Sequence, residues 1–124
     1  MKTTELRIGN CVQWDNDKGE IETINSINNS CVGLETDMVT DVLTPIEFLK
    51  PIPLTEEWLL KFGFEKDKKY TKWHLVNPFF MITRRTGIYS YFGRGGVPLQ
   101  YVHQLQKLYF ALTGEELTIN TEIK

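Results

Sequence analysis

Hydrophobic and polar positions change period twice along this chain. From Asn10 to Leu43 the apolar residues come in short runs broken by turn chemistry. "NCVQW" (10–14) ends at "DNDKG", a turn cluster in which Gly19 supplies a positive φ. "EIETINSI" (20–27) sets Ile21 and Thr23 against Glu20 and Glu22 with period two, and Ile24 and Ile27 lie beyond that pattern. Asn28-Asn29 makes a second turn, because Asn tolerates the left-handed region. "CVGLE" (31–35) and "MVTDVL" (38–43) complete the set of short strands. Strands this short, joined this tightly, predict a small, strongly bent antiparallel sheet of the SH3-like barrel type.

Thr44-Pro45-Ile46 then predicts a single helical turn, with Thr44 as cap and Pro45 at the first helical position. Pro51 and Pro53 each push the preceding residue out of the α region, so "KPIPL" is extended and divides the chain. The expected organisation is a barrel-like part at 1–53, a second part at 54–117 and a frayed tail at 118–124.

Beyond the divide the period becomes helical. In "PLTEEWLLKFGF", Thr55 caps, Glu56 and Glu57 face the positive helix end, Leu54 staples onto Leu59, and Gly63 stops the helix. Trp58, Leu59 and Phe62 form its buried stripe. "EKDKK" reads as a charged loop, followed by strands at Tyr70–Val76, Phe79–Arg84 and Gly87–Phe92. The breaks between them are "NP" and "RTG". From Pro98 onward Tyr101, Val102, Leu105, Leu108, Tyr109 and Leu112 recur on one helical face, opposite Gln100, His103, Gln104, Gln106 and Lys107. Thr113-Gly114 closes this helix and Leu117 folds back over its last turn. The second part is thus expected as helix, three-stranded antiparallel meander, helix, and the whole chain as α+β.

Three segments carry a resemblance: "ELRIGN", "PIPLTEEWLLKFGF" and "YVHQLQKLYFALTGEEL", about 37 of 124 residues. They are similar to a recurrent family of short proteins in gut Bacteroides-type bacteria and their phages or mobile elements. The resemblance implies a bacterial or phage setting and brings no activity, catalytic residue or cofactor with it. The family often has an aromatic where this chain has Cys11, and Asn where it has Lys107, so Cys11 is not carried over as a functional thiol.

Composition narrows the classes. Of 124 residues, 41% are hydrophobic and 24% charged, which suits a folded globular chain. No apolar run approaches the roughly 18 residues of a membrane span. The start, "MKTTELRIGN", lacks a secretory apolar core, so the expected address is the cytoplasm. Cys11 and Cys31 are then expected as two buried thiols, although paired strands could bring them within disulfide reach. The net charge of −2 conceals a split: residues 1–62 carry five Lys+Arg against eleven Asp+Glu, and residues 63–124 nine against five.

Candidate chemistry is sparse. Gly93-Arg94-Gly95-Gly96 ahead of a helix invites comparison with a phosphate loop, yet Val97-Pro98 stands where Lys and Ser/Thr are needed, and Pro98 lacks an N–H. His74 and His103 have no metal-ligand spacing around them and read as surface residues. Neither cysteine has a local base, and capping explains Glu56-Glu57. No catalytic residue, cofactor, metal, membrane or small-molecule substrate is therefore expected.

Two non-catalytic functions remain. The acidic first half, with Asp15, Asp17, Glu20, Glu22, Asp37 and Asp41 around a small barrel, suits a protein-interaction module that docks on another protein or on itself. The alternative is single-stranded nucleic acid or RNA held by residues 66–94. There Lys72, His74, Arg84, Arg85 and Arg94 would meet phosphates while interleaved tyrosines stack bases.

Overall fold

The computed structural model describes residues 1–35, 42–66, 72–76, 79–85, 88–91 and 98–119, with positions 35, 42, 76, 79, 85 and 88 described by backbone alone. It is α+β, with two antiparallel sheets and two α-helices. The chain divides into two compact units: 1–52 with 101–108, and 53–100 with the chain from 109 onward.

The first unit holds β1 (Cys11–Trp14), β2 (Ile21–Ile27), β3 (Cys31–Glu35), β4 (Val42–Pro45) and β5 (Leu49–Lys50) in the order β4-β3-β2-β1-β5. Every pairing is antiparallel. Among the described residues this sheet does not close into a barrel: β4 and β5 are its two edges and do not pair with each other. The predicted strand from Met38 begins outside the described residues, and its described part is β4.

Gly19 turns the β1–β2 connection with φ 56, and Asn16 Oδ1 accepts from the N–H groups of Lys18 and Gly19 at 3.0 and 2.8 Å. Within β2 the register slips between Ile24 and Ser26. The extra residue, Asn25, shifts the side-chain phase by one. That bulge lets Ile24 and Ile27, three apart, both reach the core formed by Leu6, Val12, Ile24, Val32, Leu34 and Leu49. Before the bulge β2 alternates regularly, so Ile21 lies on the opposite face from Glu22, whose carboxylate accepts from Trp14 Nε1 at 3.2 Å.

The helical turn after β4 is a 3-10 turn at Ile46–Phe48, with Pro45 at its N-cap and no side-chain cap. Thr44 is a buried strand residue rather than a cap, because Val32 pairs with it across β3 and β4.

The second unit starts with α1 (Glu56–Lys61), where the Thr55 hydroxyl accepts from Trp58 N–H at 3.4 Å and Trp58, Leu59 and Phe62 are buried as the pattern predicts. Gly63, with φ 94, ends it. The meander has five strands rather than three: β6 (Glu65–Lys66), β7 (Lys72–Val76), β8 (Phe79–Arg85), β9 (Ile88–Tyr91) and β10 (Pro98–Leu99), ordered β10-β9-β8-β7-β6. Two-residue edge strands have too little length to show a period, which is why β6 read as loop and β10 as the start of a helix. Pro98 suits an edge, where no N–H is required. Phe80 is the aromatic hub, with ring centres of Phe64, Tyr91 and Tyr109 at 6.3, 5.0 and 5.1 Å.

Helix α2 (Val102–Thr113) begins four residues later than Pro98. Gln104 Oε1 accepts from the Tyr101 N–H at 3.0 Å, half of a capping box, and this local bond sets the start. Gly114 N–H closes the end on Phe110 O at 2.8 Å, and Leu117 is buried as expected. Leu112, assigned to the apolar face, is exposed.

Candidate functional site

The strand register decides whether the basic and aromatic residues of the second unit form one surface. Lys72 pairs with Thr83 and Thr83 with Ser90; His74 pairs with Met81 and with Glu65. Cross-strand partners share a face and alternate residues change face. Lys72, His74, Met81, Thr83 and Ser90 therefore line one side of the sheet.

Trp73, Ile82 and Tyr91 form the adjacent row, and Arg84, Tyr89 and Leu99 a second row on that same opposite side. Trp73, Ile82, Tyr89 and Leu99 are buried there, so this is the core-facing side. Arg84 is exposed at the rim, its guanidinium 5.5 Å from the Tyr89 ring centre. Of the five predicted nucleic-acid contacts, the three with described side chains do not all share one face. Lys72 and His74 share the outer face, and Arg84 lies across the sheet. Arg85 is described by backbone alone, opposite Ile88, and Arg94 lies outside the described residues.

The stacking rings are likewise displaced. Tyr89 is 6% exposed and Tyr91 packs on Phe80, while Tyr70 lies outside the described residues. The physical reason is area: each ring buries on the order of 150–250 Å² in a core. Both phases of "IYSYF" carry aromatics, so the sequence left the inward phase open. His74 Nε2 sits 4.0 Å from an exposed Glu65 carboxylate, a surface pair of small energetic weight. Burial raises the Tyr89 hydroxyl above its ordinary pKa; Arg84 opposes this and Glu56 adds to it.

The first unit presents a different surface, whose acidic residues the sequence singled out and whose apolar ones it did not. Gln13 of β1 pairs with Ile21 on one side and Lys50 on the other, and Asp15 N–H donates to the Phe48 carbonyl at 2.9 Å. Ile21 is 44% exposed and Phe48 55% exposed. Both therefore border the turn that carries Asp15, Asp17 and Glu20, all exposed. Lys50 Nζ lies 3.9 Å from Asp15. An exposed Phe on a 3-10 turn gave no periodic signal, and Ile21 looked like one phase of an ordinary strand.

Two further residues are misplaced by the helical pattern of α2. His103 is 2% exposed and Gln106 is 1% exposed, although both sit on its nominally polar side. Cys11 is a buried thiol, and Cys31 a half-buried one; both are free. Among the described residues no group of three or more His, Cys, Asp or Glu is placed to hold a metal ion, and no helix is long and apolar enough to cross a membrane. A shallow depression in the first unit is lined by Thr3, Thr4, Ile27, Asn28, Asn29 and Ser30, none of them charged.

No protein-family profile matches the chain, and no curated protein or solved structure is significantly similar to it.

Proposed function

We propose that this chain is a non-catalytic protein-interaction module, of the bacterial or phage setting that its sequence anchors resemble, and that its first unit supplies the docking face. The strand order, with a single 3-10 turn before the last strand and that strand paired to the first, supports an SH3-like assignment for this sheet. The observation that carries the functional reading is the exposure of Ile21 and Phe48 beside the acidic β1–β2 turn. Scattered exposed apolar residues need no explanation. An aromatic and a branched aliphatic side chain next to Asp15, Asp17 and Glu20 make a surface with both a desolvation gain and a sign of charge. The partner it fits is a protein segment that alternates apolar with Lys or Arg side chains.

The test is a titration of the chain against short peptides of that alternating kind, beside sequence-matched peptides with Glu in place of Lys. Binding of the basic set that weakens with salt and falls at least about tenfold in Ile21→Ser/Phe48→Ser supports the reading. Binding that ignores both the charge reversal and the double substitution overturns it. Nucleic-acid binding is the weaker reading, since among the described residues Lys72 and His74 share their face with Thr83 and Ser90, while Tyr89 and Tyr91 lie on the other. Any such affinity would carry a steep salt dependence.

A further inference from the structure

The first half of α2 is tied to a turn of the N-terminal sheet through one side chain. Gln106 Oε1 accepts from the Cys11 N–H at 2.8 Å, and its Nε2 donates to the Gly9 carbonyl at 3.2 Å and lies 3.7 Å from Cys11 Sγ. The receiving turn is well braced. Gly9, with φ 98, donates to Ile24 O at 2.8 Å, and Ile24 N–H donates to Asn10 O at 2.9 Å. Asn10 Oδ1 accepts from Arg7 N–H at 2.8 Å.

One turn back on the helix, and so on the same face, is His103. Its ring stacks on Tyr101 at 5.8 Å with an interplanar angle of 9°. His103 Nδ1 is buried without a hydrogen-bond partner among the described residues. A neutral imidazole can present that nitrogen as a bare acceptor at modest cost. An imidazolium presents an N–H donor without an acceptor there and places a charge in a buried site, which is far costlier.

We propose that the seating of residues 101–108 on the Gly9–Cys11 turn is a pH-operated latch, closed while His103 is neutral and opened by its protonation, which bares the Cys11 thiol.

The groups around His103 shape the response. Burial of the ring is the largest influence and pulls its pKa below the ordinary value; the Glu5 carboxylate opposes this, while Lys107 and the N-terminal amine reinforce it. A folded-state pKa below the unfolded one means the closed state holds its full advantage above the unfolded value of about 6.5 and loses it as pH falls through the folded value. Burial raises the Cys11 thiol's pKa, against hydrogen bonds from Gln106 and Thr23, so the thiol is unreactive while the latch is shut.

The experiment uses the full chain carrying Cys31→Ser, so that Cys11 is its single thiol. Its reaction with 4,4′-dithiodipyridine is timed between about pH 5 and 7.5, relative to the same chain in denaturant at each pH. Expected is a constant protection above about pH 7 that falls about tenfold per unit below about 6.5. His103→Gln should flatten the profile, and His74→Gln should leave it intact. A flat profile in the parent, or an unchanged slope in His103→Gln, overturns the latch. If His103→Gln fails to fold, hydrogen exchange in the parent decides: protection lost with acid in 102–108 but kept in 31–35 supports it, and simultaneous loss in both overturns it.

Discussion

The Arg84 guanidinium stands 5.5 Å from the centre of the Tyr89 ring that its own backbone pairs with across β8 and β9. A basic residue and an aromatic one that looked like two parts of an open binding platform are instead a rim contact on the core side of the sheet. The cation lies over the ring of a residue that is otherwise buried.

Replacing Arg84 by Ala should therefore act on Tyr89. The guanidinium lowers a hydroxyl pKa that burial raises, so its removal raises that pKa further. Ultraviolet titration of the tyrosines at alkaline pH should show one of them ionising later in Arg84→Ala. The stability loss should stay near 0.5–1 kcal/mol, the scale of an exposed cation–π contact. An earlier ionisation would contradict the geometry.

Phe80 should be among the costliest positions in the chain. It is buried and meets the rings of Phe64, Tyr91 and Tyr109. Phe80→Ala should destabilise by about 3–5 kcal/mol in denaturant unfolding. Leu112→Ala, at an exposed site on α2, should change stability by no more than about 0.5 kcal/mol. Similar losses at the two positions would mean that the apolar face extends to Leu112 after all.

Gln106 should behave as a buried structural amide. Gln106→Ala leaves the Cys11 N–H and the Gly9 carbonyl without their partner, a loss of about 1–3 kcal/mol measured by thermal or denaturant unfolding. Gln104→Ala removes the acceptor at the helix start and should cost about 1 kcal/mol or less. Equal and negligible effects would place Gln106 in solvent.

The Thr55 cap supplies a local test. Thr55→Ala should cost about 1 kcal/mol, and Thr55→Ser should cost little, because either hydroxyl can accept from the Trp58 N–H. Equal losses in the two variants would assign the effect to the methyl group instead.

Local chemistry was legible wherever it acts within a few residues. The Thr55 cap, the Gly63 and Gly19 turns, the Gly114 stop and the buried stripe of Trp58, Leu59 and Phe62 all follow from neighbours along the chain. The α+β class and most strands followed as well, since period two and period 3.6 are properties of one segment at a time. Decisions that needed a second segment were not legible. The bulge at Asn25 turns Ile27 inward as well as Ile24; the pairing of Arg84 with Tyr89 sets which phase of the aromatics turns inward; and the Gly9–Cys11 turn takes Gln106 from a polar helix face into a buried one. Each of these burials depends on what lies opposite. A polar side chain sinks only where a distant backbone group satisfies it, or where the surrounding packing outweighs its cost.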